Sequence, residues 1–334
     1  MRVKEPLVSI VLLSYNQEEY IIEALNSALN QNYENIQLVI SDDCSTDNTF
    51  NLIKKRLSNN KKNHKIILNR NEANLGIASN VNKALSYAEG EIAVFFSGDD
   101  ISKFNRVKES IEYFNENPKT YSVFTYGVNI DENGRKVSKC EYQIKSNNLD
   151  IIDRVKMFSV SLPGYCHAMR IESYSKFGPL EESTINEDEA FCFRSLTLGE
   201  VGIIPKYLVK RRIHSSNLYA SKQSIDFISY KELNAKRAEY AINLTYQYQK
   251  DLIKFRNCKL ITEGELSACL TILERKYNYY SNLNIYYSGG YFEACFAAIR
   301  LVRIEKRLIS KIRRILSLIP YFDNLYYNYI YLNK

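Results

Sequence analysis

The glycine-rich signatures of several large enzyme classes are missing from this 334-residue chain. The turn after the first apolar run reads SYNQEEY, without a glycine, so the G-x-G-x-x-G loop of a dinucleotide-binding dehydrogenase is excluded. A G-x-x-x-x-G-K-S/T phosphate loop and a G-x-S-x-G elbow are also absent. Only three histidines, His64, His167 and His214, are available as bases, which leaves a Ser or Cys hydrolase triad without support. The seven cysteines are scattered, odd in number and never spaced C-x-x-C. They argue against a disulfide framework or a structural zinc site, and for reduced thiols in the cytoplasm. No apolar run approaches the roughly 18 residues of a membrane span, so any membrane contact is expected to be peripheral, on the inner face of the cell membrane. The opening MRVKEPLVSIVLLS is too short in its apolar part for a signal segment and reads as a first strand.

What is present is ample apolar sequence for a core and a charge pattern that divides the chain. Residues 1–220 carry 27 Lys and Arg against 28 Asp and Glu, whereas residues 221–334 carry 18 against 10. All of the net positive excess is C-terminal. A near-neutral catalytic body (1–220) followed by a basic, helical, Tyr-rich region (221–334) is expected, the second packing on the first because no linker separates them.

Within the first part, four apolar runs alternate with helical patterns. Leu7 to Leu13, Ile36 to Ile40, Lys65 to Leu68 and Ile92 to Phe96 read as strands. Helices are expected over about Glu18–Asn30, up to Leu57, over Ile77–Ala88 and over Phe104–Asn115. This is the pattern of a parallel sheet with right-handed crossovers, whose ligand crevice lies at the strand C-termini. Tyr15, Asp42, Asp43, Asp99 and Asp100 all fall there. Beyond the strand Tyr121–Ile130 the alternation stops, and Pro163-Gly164 marks a candidate substrate-facing loop. A helix opens at Asn186 with Glu187, Asp188 and Glu189 in its first turn, where acids also simply complement the helix dipole. Val201–Ile204 reads as a short strand and Tyr207–His214 as a separate extended segment; His167 is placed either facing an acceptor or on the surface.

An aromatic at one strand end and carboxylates at two others outline a nucleoside-diphosphate site: a ring to stack on a base, an acid to accept from it, and a metal-bound acid to hold the diphosphate. The segment PLVSIVLLSYNQEEYIIEALNSALNQNYENIQLVISDDCSTDNT, with NLG, GEIAVFFSGDD and NEDEAFCFR downstream, resembles the family 2 glycosyltransferases of the GT-A fold over about residues 5–217. The resemblance implies a Rossmann-like, mostly parallel α/β sheet flanked by helices and followed by a helical extension. It also implies inverting transfer from a nucleotide-sugar donor, a UDP-sugar foremost, with Mn²⁺ or Mg²⁺. Tyr15, with Ser14 beside it, matches the residue against the nucleobase; Asp43, with Asp42 beside it, matches the acid that bonds the base. Gly76 and Asn80 fall in the loop lining the nucleotide. In the D-x-D element Asp99 matches the acid near the ribose or sugar, which can share the metal, and Asp100 the metal ligand. Asp188 matches the catalytic base. Arg212-Ile213-His214 resembles the R-x-H element, implying a diphosphate contact from Arg212 and a metal ligand from His214. The chain departs from the pattern at Ser97, where many members have a third acid, at Gly98, and at Asn80, which is basic in some members.

Near the C-terminus Leu301, Ile304, Leu308, Ile312, Ile315 and Ile319 form a helical apolar face opposite Arg300, Arg303, Lys306, Arg307, Lys311, Arg313 and Arg314. A basic amphipathic helix suits an anionic membrane surface through residues 300–334, or a core-packed helix with a solvated basic face. The expected partners are a nucleotide-sugar donor and a glycan or lipid-linked acceptor, with a homo-oligomer also open; nucleic acid is not expected. Two other functions fit parts of the pattern: a sugar-nucleotide nucleotidyltransferase, which gives Asp188 no role, and a non-catalytic nucleotide-sugar-binding scaffold.

Overall fold

The computed structural model describes residues 5–60, 64–159, 162–214, 227–305 and 308–316. The strands β1 (Val8–Ser14), β2 (Ile36–Asp42), β3 (Lys65–Arg70) and β4 (Ile92–Ser97) alternate with α1 (Ile21–Leu29), α2 (Thr49–Ser58) and α3 (Ile77–Ser86). Then come β5 (Ile101–Ser102), α4 (Arg106–Glu116), β6 (Thr120–Ile130), β7 (Lys136–Cys140), α5 (Ile151–Met157), β8 (His167–Arg170), α6 (Glu172–Ser175), α7 (Glu187–Leu198) and β9 (Glu200–Arg212). The helices α8 (Phe227–Asn257), α9 (Glu263–Ser288), α10 (Tyr291–Ile304) and α11 (Leu308–Leu316) follow.

The sheet runs β3-β2-β1-β4-β8-β6-β9-β5, with β7 paired to β6. The apolar runs of β1 and β4 serve two cores because successive side chains point to opposite faces. Val8, Ile10 and Leu12, with Ile92, Val94 and Phe96, face α1, α2 and α4. Val11, Ala93 and Phe95 face α3, α5 and α7. In register, Ser14 of β1 lies beside Asp42 of β2, and Leu13 beside Ser97 of β4, so the strand ends that carry the expected acids form one row.

Beyond β4 the expectations need correction. The strand β8 inserts between β4 and β6, antiparallel to both, so the sheet is mixed. The two segments expected on either side of Pro205 are one strand, β9. Its pairing with β6 jumps from Thr125↔Ile204 to Tyr126↔Tyr207, which leaves Pro205 and Lys206 out of the ladder where proline's missing N–H does no harm. Antiparallel pairing of β9 with β5 then delivers Arg212 to the turn after β4.

The core does not stop at residue 220. Leu244, Tyr248, Leu252 and Phe255 of α8 share one buried cluster with Val11, Phe95 and Phe191. Within that contact Arg194 of α7 and Asp251 of α8 form a fully buried bidentate pair, 2.8 and 3.0 Å. The continuous basic helix expected from Arg300 is interrupted at Glu305, whose extended backbone (ψ 133°) separates α10 from α11. Leu301 is fully buried, and Arg314 turns inward to Glu305 (3.2 Å) and over the Tyr286 ring (4.3 Å). Residues 317–334, including YFDNLYYNYIYL, lie outside the described residues. No helix among the described residues is long and apolar enough to cross a membrane.

Candidate active site

The loops after β1 and β2 are stitched together by short polar side chains. Asp42 is fully buried and accepts from the Ser14 hydroxyl (3.1 Å) and from the backbone N–H (2.9 Å) and hydroxyl of Ser45, with Arg70 Nε 3.7 Å away. Its oxygens are spent on protein, so it braces the wall and does not face the cleft. Asn16 takes a positive φ (51°), which Asn tolerates, and its side chain accepts from Thr46 N at 2.8 Å.

Asp43 does reach the cleft. Its carboxylate accepts from Asn71 Nδ2 (2.8 Å), Leu75 N (2.9 Å) and Gly76 N (2.9 Å). Gly76 sits at φ +82°, a conformation side chains other than glycine rarely adopt, and it opens α3. Asn80, where some relatives are basic, belongs to a neutral network: it accepts from Ser41 Oγ (2.6 Å) and Asn71 Nδ2 (3.1 Å). Tyr15 stands at the mouth, 41% exposed.

At the end of β4, Gly98 lets the turn pass close to its neighbours: a Cβ there would lie 2.2 Å from the Gln17 side-chain oxygen, which could swing away, and 3.1 Å from the Leu13 carbonyl, which would have to give by a few tenths of an ångström. Asp99 Oδ2 lies 3.1 Å from His214 Nε2. Asp100 is buried beside it and accepts from Arg212 N (2.8 Å). Burial, and then the Asp99 charge, push the Asp100 carboxyl well above its usual range. The Arg212 side chain does not line the cleft as the diphosphate contact implied. It bonds the Glu23 carboxylate and the carbonyls of Asp99, Asp131 and Glu132, and packs over Tyr20 (4.6 Å). Its site is that of a brace between β9, α1 and the D-x-D turn.

Asp188, at the start of α7, opens onto the cleft on one side while its carboxyl is enclosed by protein. Oδ2 accepts from Gly164 N (2.9 Å) and Oδ1 from Glu189 N (2.8 Å). Burial, and then the Glu189 carboxylate, raise its pKa to about 7 against the pull of those N–H donors. The expected Pro163-Gly164 break matters for this reason: a Cβ on Gly164 would lie 2.8 Å from Glu187 Oε1. His167 is neither exposed nor basic. It is 1% exposed, stacked 4.4 Å from Phe124, and burial beside Arg106 lowers its pKa to about 3. Ser122 Oγ, 2.8 Å from its Nε2, completes the pairing.

These groups surround one cleft of about 600 Å³. Ser14, Tyr15, Asp43, Gly76, Asn80, Asp99, Asp188 and His214 line it; Asp42, Asp100 and Arg212 stand behind. Sequence reasoning missed Asn71, Glu23 and Tyr165, which act through partners distant in the chain, and Gln17, whose side chain accepts from Tyr15 N two residues away; only the polar stretch NRNEANLG signalled Asn71.

The model of the glycosyl transferase family 2 matches residues 9–178. The chain belongs to this family. It is therefore a glycosyltransferase with the GT-A fold that the resemblance implied. A Haemophilus influenzae protein described as an uncharacterized glycosyltransferase is 29% identical over 230 residues, 66% of this chain and 70% of that one. The Pasteurella multocida hyaluronan synthase is 24% identical over 288 residues, 80% of this chain but 29% of the synthase, so the chain spans under a third of that relative. Among solved structures, S. aureus TarS in complex with UDP-GlcNAc superposes with a TM-score of 0.54 at 18% identity, over 95% of this chain and 92% of that one. The Pyrobaculum calidifontis mannosyltransferase in complex with GDP-Man and Mn²⁺ gives 0.52 at 14%, over 98% and 88%. At these identities the two structures bear on the fold alone. Family membership removes the nucleotidyltransferase reading.

Proposed function

We propose that this glycosyltransferase moves a sugar, with inversion, from a UDP-sugar to a glycan or lipid-linked acceptor in surface polysaccharide synthesis. The observation that carries the reading is one cleft holding both a carboxyl with its pKa raised to about 7, Asp188, and the Asp99–His214 pair. Inversion in one displacement needs a base on the acceptor hydroxyl and a stabilised leaving group. Near half-ionised at neutral pH, Asp188 is matched to take the acceptor proton, and the Gly164 and Glu189 N–H groups hold its oxygens in place. Tyr15 offers an exposed ring to a nucleobase, and Asp43 holds the loop over it.

Asp99, Asp100 and His214 fit a hard divalent cation, Mn²⁺ or Mg²⁺. No group of three ligands converges among the described residues, but such ions are usually held by one or two carboxylates and complete their shell from water and phosphate. Two adjacent carboxyls, one buried and raised in pKa, are also a place where a cation relieves repulsion. When bound, it neutralises the departing diphosphate. Arg212 keeps the D-x-D turn in position by its backbone and side-chain bonds. The hyaluronan named for the Pasteurella multocida relative supports a polysaccharide product; the UDP-GlcNAc of the TarS structure and the GDP-Man and Mn²⁺ of the mannosyltransferase structure name the donors and the cation to test first.

A membrane partner is kept in a narrower form. Of the expected face Leu301 is buried while Ile304 and Ile312 stay exposed, and on α10 Phe292 (76% exposed), Phe296 and Ile299 stand beside exposed Arg300 and Arg303, a pairing suited to an anionic lipid surface.

The test is a panel of UDP- and GDP-sugars, with and without Mn²⁺ or Mg²⁺, scored by calorimetric binding and by slow donor hydrolysis. One UDP-sugar should bind in a metal-dependent way. Asp188→Asn should keep that binding and lose turnover; unchanged turnover overturns the assignment.

A further inference from the structure

A second groove, of about 610 Å³, lies beside the catalytic cleft. Its walls come from Tyr126 of β6, the segment 141–146, Met157 at the end of α5, and Ser159 and Leu162. Two contacts tie it to the cleft. The Tyr142 hydroxyl, on the groove, bonds the Tyr165 hydroxyl, on the cleft. Ser159, also on the groove, donates to the carboxylate of Glu189, the neighbour of the base. We infer that this groove is the acceptor subsite for the glycan chain already built, seating its sugar rings behind the residue that receives the transferred sugar. The inference rests on the proposed acceptor class.

The lining has the chemistry of a carbohydrate site. Tyr126, Tyr142, Ile144 and Met157 offer aromatic and aliphatic surface for the C–H faces of pyranose rings. Glu141, Gln143 and Lys145 supply donors and acceptors at an exposed rim. That rim carries one acid and one base, without the clustered cations that a polyphosphate or nucleic acid requires. The volume falls within the roughly 300–1,000 Å³ of sites that enclose a ligand of several rings.

One polar group also points to a ligand. Ser146 is 1% exposed, lines the groove, and its hydroxyl has no partner among the described residues. An unpaired buried hydroxyl is unfavourable in a folded protein, and the great majority are paired. Its oxygen is closed off beneath the groove surface, so a sugar hydroxyl reaches it only when the segment 141–146 shifts on binding.

Because the chain has no tryptophan, Met157→Trp places a single indole reporter on the groove wall. The probes are disaccharides and octasaccharides of chitin, a neutral chain, and of hyaluronan, an acidic one. At least one octasaccharide should change the fluorescence saturably, with an affinity at least tenfold above its disaccharide. Adding Tyr126→Ala or Ser146→Ala should weaken that binding at least fivefold and leave donor hydrolysis unchanged. Ser146→Ala alone should also raise Tm, because it removes the unpaired hydroxyl. No saturable response to any probe, or equal binding after both substitutions, overturns the subsite. Oligosaccharide binding without hydrolysis of any UDP-sugar by the wild type sinks the proposed donor instead and leaves the groove standing.

Discussion

Replacing Asp188 by Asn should make the protein inactive and, at alkaline pH, more stable. In the folded chain burial and Glu189 raise the Asp188 pKa to about 7, while an unfolded Asp titrates near ~3.9. The folded state therefore binds this proton more tightly. Its stabilisation is complete below about pH 4 and is lost as the pH rises through about 7. From about pH 5 to about pH 8 the wild type should lose about 2–3 kcal/mol from this group, at ~1.4 kcal/mol for each unit of pKa difference still in play. Asn does not titrate and loses nothing. It does leave one of two backbone donors, Gly164 N or Glu189 N, facing an amide NH₂, but that penalty of about 1 kcal/mol is constant with pH and cancels in the comparison. The assay is the melting temperature of both proteins at the two pH values. The difference should shift toward the variant by about 3–4 °C on going from acid to alkali, while transfer falls by roughly 10²-fold or more. A gap that is the same at both pH values means that Asp188 titrates as an ordinary surface acid, and refutes both the burial argument and its tuning as a base.

Asp251→Ala leaves the fully buried Arg194 guanidinium without its carboxylate and should destabilise the fold by about 3–5 kcal/mol, read as a lower denaturant midpoint; a midpoint unchanged within error sinks the shared core. Gly164→Ala brings a methyl to 2.8 Å from the end of the Glu187 side chain, which can swing away, and to an ordinary 3.5 Å from Asp188 Cβ, so kcat should fall by only a few-fold with donor affinity unchanged by calorimetry; a loss of about 10²-fold means that Glu187 cannot move and the Asp188 wall is displaced. Phe292→Ser with Phe296→Ser removes two exposed rings from α10 and should lower sedimentation with anionic vesicles; equal sedimentation rejects the membrane face.

The first four strands were legible because their signals are local. A run such as IAVFF between polar turns is a strand whatever its partners, and period-two alternation assigns Val94 and Phe95 to opposite cores before the cores are known. Carboxylates after such runs necessarily sit at the crevice end of a parallel sheet, so Asp43 and Asp99 could be named from the chain. Proline misled the reading of β9, since the local rule that Pro205 ends a strand holds only when the ladder has no irregularity to absorb it. The basic helix was misread for a similar reason: periodicity showed which residues share a face, but not that Glu305 and Arg314 turn inward together.

What the sequence alone determined, then, is the sheet of the first hundred residues, the family, and which acids stand at the strand ends. Tertiary structure decided what each charged group does, because a charge takes its role from partners that spacing does not reveal. Arg212 became a brace through Glu23, 189 residues away, and α8 joined the core through Asp251, 57 residues from Arg194. Asp188 acquired a base's pKa only when folding enclosed it beside Glu189 and Gly164. Apolar pattern is a property of a segment, whereas desolvation and ion pairing exist only once the chain has closed around them.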